Sequence, residues 1–205
     1  MIYYGNPSTE AIRSAMTDGL LGCIITQRQG NTPEPGWDVI ADNGCFSDRW
    51  TREGWESWLP TVDRPSTRFA VVPDVVGDHR ATLERWLEFS PWVRSLGFQP
   101  AFVLQDGCTE SEVPRDAEFL FIGGSTEWKL SPCARDITMS AVAEGRWVHM
   151  GRVNSLKRLR IAASWGVSSV DGTYLTFGPD VNLPTLLSWL RALEWVDAPL
   201  FPDLA

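Results

Sequence analysis

The sequence is poor in the side chains that structural metal sites use. It has two histidines and four cysteines, Cys23, Cys45, Cys108 and Cys133, widely spaced and with no C-x-x-C pair. That spacing argues against a zinc site or a dense disulfide framework. No run approaches the roughly 18 apolar residues that a membrane-spanning helix needs. The opening Met1–Gly5 has neither the basic region nor the apolar core of a targeting segment. Cations are also scarce: 18 Lys+Arg stand against 26 Asp+Glu, for a net charge of −8 and a pI of about 4.8. A broad basic surface that grips nucleic acid unaided is therefore excluded, and any such contact must be local. The expectation is a soluble, reduced, cytoplasmic protein with no metal, no cofactor and no membrane partner.

What is present is ordinary apolar content, 43%, and an unusual number of tryptophans, 11 in 205 residues. Trp50, Trp55, Trp58, Trp86 and Trp92 fall in helix-like stretches, where packing explains them. The length suits one domain. Short apolar runs alternate with amphipathic ones throughout. Strands are expected at Ile2–Gly5, Leu21–Thr26, Trp37–Ala41, Arg68–Pro73, Pro100–Leu104, Glu118–Ile122, Trp147–Met150 and Val167–Val170. Between them lie helix patterns over 9–18, 51–59, 78–96, 131–143 and 156–165, with a last helix over 183–196 after Pro179 and Pro184. Nearly all-apolar strands alternating with helices indicate a covered parallel sheet. Eight such units predict an α/β fold, a compact (β/α)8 barrel, with an open doubly wound sheet as the competing architecture.

In a parallel barrel, ligands bind at the C-terminal strand ends. Six of those ends carry a carboxylate, an amide or a glycine: Asp42, Asp74, Gln105, Gly123-Gly124, Met150-Gly151 and Asp171. Any one of them could be a turn former. Six together suit a pocket for a flat base. Carboxylates accept, Gln donates and accepts, and Gly lets backbone amides come close. Asp74 could take the donors of a guanine edge, while Gln105 and Gly124 meet its acceptor. Phe46 and Met150 could stack on its faces, although on the residues alone core packing is the preferred explanation of both. Arg152 and Asn154, between a strand end and a helix N-terminus, could hold a phosphate. Lys157, Arg158 and Arg160 form either a local basic patch or a solvated helix face. His149 is expected to point into the structure and His79 to stand at a helix start.

These motifs resemble one family. Asp42-Asn43-Gly44-Cys45-Phe46-Ser47 is similar to the D-S-G-G-[FY]-Q motif of the tRNA-guanine transglycosylases. The run from Phe119 to Gly124 resembles their G-x-x-I-G-G strand, and Met150-Gly151 followed by Asp171 resembles M-G-V-G…F-D-C. Asp74 falls at the strand-four acid, and Gln105 with Gly107 at the Q-G motif. The resemblance implies a (β/α)8 barrel and base exchange, in which guanine is cut from its sugar and a 7-deazaguanine takes its place. It implies Asp171 as nucleophile and Asp42 as general acid/base. Phe46 and Met150 would sandwich the base, with Asp74, Gln105, Gly123 and Gly124 along its edge and Gly151 beside it. The C-terminal zinc module of the tRNA enzymes has no counterpart here. Asn43 and Cys45 replace Ser and Gly, and Gly172 follows Asp171 in place of Cys. These departures look more like the DNA-acting branch, the 7-deazaguanine DNA transglycosylases of phages and bacterial modification islands, acting on guanine in DNA with a free preQ0-type base. The alternatives are the same exchange on tRNA, with a partner subunit or homodimer supplying the grip, and an unrelated barrel enzyme that uses Arg152 on a small phosphorylated metabolite. A non-catalytic binding module fits less well, because both carboxylate positions are filled.

Overall fold

The computed structural model describes residues 1–47 and 50–197, with side chains as far as residue 193. The strands are β1 (Ile2–Gly5), β2 (Gly22–Ile25), β3 (Val39–Ala41), β4 (Thr67–Val71), β5 (Pro100–Leu104), β6 (Phe119–Ile122), β7 (Trp147–Met150) and β8 (Ser169–Asp171). They form one closed parallel ring in chain order, with β8 returning to pair with β1. The helices are α1 (Glu10–Thr17), α2 (Arg52–Trp58), α3 (His79–Ser95), α4 (Thr126–Lys129), α5 (Pro132–Ala143), α6 (Leu156–Ser164) and α7 (Pro179–Asp197). This is the expected (β/α)8 barrel.

Local chemistry starts most of the helices. Thr9, Thr51, Asp78, Ser125, Ser131 and Ser155 each accept a backbone N–H through the side chain, the N-cap bond that satisfies an otherwise orphaned donor. The last helix begins at Pro179, ahead of the expected Leu183. Proline suits a first turn, where no N–H is required, and Pro184 lies inside the helix near its start. Strand β8 also runs one residue further than expected, so Asp171 is its final residue.

Alternation along the strands divides the core in two. Tyr4, Ile40, Phe69, Val71, Ala101, Val103 and Phe121 pack inside the ring. Tyr3, Cys23, Val39, Ala70, Phe102, Leu120, Val148, Met150 and Val170 belong to the larger layer between ring and helices. The tryptophans serve that outer layer: Trp55 and Trp86 are buried, and Trp50, Trp58 and Trp92 pack partly buried against it. Gly22 leaves room for the Tyr4 ring, which a Cβ there would meet at 2.3 Å. Tyr4 can then cross the interior and donate to Asp38.

Candidate active site

The parity that places Met150 outside places the residues beyond the inward strand positions at the mouth. Asp42 lies two residues past inward Ile40, Gln105 two past Val103, Gly123 two past Phe121, and Gly151 two past His149. All four line one cavity of about 280 Å³ at the C-terminal end, together with Asp74, Gly124, Arg152, Asp171 and Phe46. That volume is at the small end for small-molecule sites. Ile24, Val71, Val103 and Phe121 form apolar walls. Acids far apart in the chain thus converge on one pocket, as expected.

Two expected site residues do not line it. Met150 is fully buried in the layer between ring and helices. Its neighbour His149 faces inward, so Met150 must face outward and cannot stack on a base. Asn154 accepts the Thr173 N–H through its side chain and braces the loop after β8. Gln105 is present but already engaged: its Nε2 donates to Asp74 and its Oε1 accepts from the Gly77 N–H. One donor and one acceptor position of the amide are thereby taken up in holding Asp74 and the Gly77 turn, while Gln105 itself lines the cavity.

The three carboxylates differ sharply. Asp171 lies where burial alone would raise its carboxyl, but His149 Nε2 at 2.9 Å and the Arg152 N–H at 3.0 Å hold it below the usual range, with Lys129 adding charge. Burial pushes Asp42 up to about 7, the Asp171 charge adds to that, and only the Gly44 N–H opposes. Asp74 is also raised by burial, against hydrogen bonds from Asn43 and Gln105. At neutral pH the pocket therefore sets an ionised Asp171 beside an Asp42 that exchanges a proton near 7. Environments that push two acids apart in this way assign them different chemical roles.

Asn43, Lys129, Asn6 and Thr26 contribute without having been foreseen, and Arg152 stands at the cavity as expected. Asn43 donates to both Val72 O and Asp74 and closes a turn by accepting the Cys45 N–H. Lys129 is buried and donates to Gly151 O. Burial and the Arg152 charge push it down to about 7. Arg152 has φ 62°, the only non-glycine residue in the left-handed region among the described residues. Such strain clusters at functional sites. Its guanidinium lies 4.7 Å over the exposed Phe46 ring and donates to Gly124 O. Arg158 supports the same loop by donating to Arg152 O, whereas Lys157 and Arg160 stand exposed on the outer face of α6, away from the mouth. Asn6 and Thr26 also line the cavity, each two residues past an inward strand position, Tyr4 and Ile24. The Asn6 Oδ1 is buried without a hydrogen-bond partner.

Two glycines are required by contact. A Cβ on Gly124, which has φ 69°, would meet Asp106 Oδ2 at 2.6 Å. One on Gly151 would meet the Phe121 ring at 2.8 Å and shade Asp171. No group of three or more His, Cys, Asp or Glu placed to hold a metal occurs among the described residues, and no described helix is long and apolar enough to cross a membrane.

Fold and site together define a (β/α)8 barrel with an acid pair at its C-terminal mouth. No family model matches the sequence, and no curated protein does. Solved structures do share the backbone. The BexX/CysO complex of Amycolatopsis orientalis has a chain that matches with a TM-score of 0.61 at 15% identity, covering 100% of this chain and 93% of that one. A 3-hexulose-6-phosphate synthase matches at 0.54 and 12% identity, over 94% and 99%. A ligand-free tryptophan synthase from M. tuberculosis matches at 0.53 and 14% identity, over 94% and 90%. At these identities the likeness establishes the barrel and nothing finer.

Proposed function

We propose that the barrel mouth is an active site for glycosyl transfer by covalent catalysis, exchanging a guanine in a polynucleotide for a free 7-deazaguanine. The observation that carries this reading is the split between Asp171, held ionised, and Asp42, held near neutrality, in one cavity. Asp171 attacks the anomeric carbon. The bond to the base breaks, its electron pair stays on the ring nitrogen, and Asp42 gives that base a proton. The incoming base loses its proton to Asp42 and attacks the same carbon, and the sugar–Asp171 ester breaks. Atoms and charge balance, no water is consumed, and an oxocarbenium-like state next to a carboxylate is the chemistry that glycosidic cleavage needs.

The geometry modifies the expected base recognition. Asp74 stays the acceptor at the pocket edge, fixed by Asn43 and Gln105. Stacking falls to Phe46 alone. DNA is favoured over tRNA by the resemblance of the motifs, and the acidic chain makes binding weak and salt-sensitive unless a second copy or a partner subunit assists.

The comparisons favour a second reading, a barrel enzyme acting on a small phosphorylated metabolite. One structure of the same fold is named a hexulose-phosphate synthase, and Arg152 stands at the rim where a phosphate could sit. Against it, three carboxylates line the cavity with that single cationic side chain. Thermal-shift measurements with 7-deazaguanines and with sugar phosphates separate the two readings, because a ligand of the folded state raises the melting temperature. The decisive assay measures release of labelled guanine from DNA and from tRNA on addition of a 7-deazaguanine. Exchange by the wild type and none by Asp171→Ala supports the proposal. Equal exchange by both, or stabilisation by sugar phosphates alone, rejects it.

A further inference from the structure

The mouth explains why Asp171 can be ionised, but what holds its carboxylate lies deeper in the ring. We propose that His149 is a positioning residue for Asp171, fixed as the Nε2–H tautomer by a hydrogen-bond chain that starts at Trp147 and passes through Ser169. The two outer links have a defined polarity, and the proposal assigns the middle one. The Trp147 indole can only donate, and its Nε1 lies 2.9 Å from Ser169 Oγ. The Ser169 hydroxyl has one proton, and it lies 2.9 Å from His149 Nδ1. An ionised carboxylate can only accept, and Asp171 Oδ2 lies 2.9 Å from His149 Nε2. The serine oxygen that accepts from Trp147 still has its own proton to give, so it can donate to a bare Nδ1, and the imidazole proton then sits on Nε2 facing Asp171. A neutral ring satisfies the whole chain.

Strand register builds this arrangement. His149 pairs with Ser169 across β7 and β8, and both face inward with Trp147 and Asp171. The imidazole is fully buried. It stacks 4.6 Å from Phe121, with Tyr4 at 5.9 Å and Phe69 at 5.8 Å. The charged groups along this axis are Asp171 above and, below Trp147, Arg68 with its partner Asp38. The Nε2–H on Oδ2 and the Arg152 N–H on Oδ1 grip both oxygens and fix the carboxylate plane. The hydrogen bond made by one ring nitrogen of a histidine sets which nitrogen carries the proton. The tautomer is inferred from this hydrogen-bond geometry and does not depend on the exchange reading. Its effect on turnover rests on the exchange reading above.

With two histidines in the chain, ring-nitrogen NMR of the 15N-labelled protein resolves His149 directly. The expected spectrum at pH 7 shows Nε2 protonated and Nδ1 bare. An Nδ1–H tautomer or an imidazolium overturns the proposal. Ser169→Ala removes the donor to Nδ1, so its Nδ1 resonance should move away from the wild-type position. An unchanged resonance overturns the chain. In the exchange assay, His149→Gln keeps an N–H near the Nε2 position, whereas His149→Phe fills the cage without one. The Phe variant should lose at least about a hundredfold in kcat with KM little changed, and the Gln variant should recover most of that loss. Equal loss in both overturns the positioning role. A wild type that exchanges no base rejects the exchange reading, while the ring spectrum still decides the tautomer.

Discussion

At the N-terminal end of the barrel interior, Asp38 accepts from Arg68 at 2.6 Å and from Tyr4 at 2.9 Å, and Arg68 lies 4.3 Å over the Trp147 ring. At the C-terminal end, about ten ångströms along strands that rise roughly 3.3 Å per residue, three carboxylates share a cavity with the one guanidinium of Arg152. The lower acid has a matched cation. The upper acids have hydrogen bonds to amides, an imidazole and backbone N–H groups, and their proton affinities diverge. Complete pairing closes the lower end as a plug, and incomplete pairing leaves the upper end able to move a proton. In such barrels the C-terminal face carries the chemistry and the N-terminal face serves stability.

Substitutions at the two ends should separate these roles. Asp171→Ala should lower base exchange by about 10⁴-fold or more while the circular dichroism spectrum is retained. Asp42→Asn should lower it by about 10²–10⁴-fold. This variant also tests the linkage. The folded-state value near 7 exceeds an unfolded one near 4, so the folded protein holds the proton more tightly and stability falls as pH rises through that window. Asp42→Asn should flatten that fall in denaturant titrations run across the same range. At the other end, Arg68→Ala should cost about 2 kcal/mol of stability by leaving Asp38 and Tyr4 with fewer partners, with ligand affinity unchanged. A change of affinity there would break the division between the two ends. Smallest is Phe46→Ala. The ring is 68% exposed, so stability should shift by no more than about 0.5 kcal/mol. Calorimetric affinity for a 7-deazaguanine should weaken by about 1–3 kcal/mol if the base stacks there.

The strands and their ends were legible in the sequence because parallel strands are short apolar runs closed by turn residues. Asp42, Asp74, Gln105, Gly123, Gly124, Gly151 and Asp171 all reach the cavity for that reason. The side each strand residue faces was not legible. Phe119–Ile122 and Pro100–Leu104 are apolar on both faces, so no polar alternation marks the interior. Met150 was consequently credited to the pocket while His149, its inward neighbour, was set aside. One fixed point would have sufficed: with Asp171 inward, the register of β8 on β7 turns His149 inward and Met150 outward. The same counting reaches Asn6 and Thr26. Lys129 carries no such signal, because it comes from the four-residue α4, which no strand end announces. The left-handed turn at Arg152 is likewise set by tertiary contacts, its N–H on Asp171 and its carbonyl under Arg158.

The account rests most heavily on Asp42 and Asp171 holding different protonation states in a common cavity. Carboxyl-carbon NMR of the 13C-labelled protein, assigned by difference with Asp42→Asn and Asp171→Asn, measures this without any substrate. The account predicts an Asp42 titration centred near 7 and an Asp171 titration below the usual carboxylate range. Ordinary values for both, or the reverse order, would contradict it.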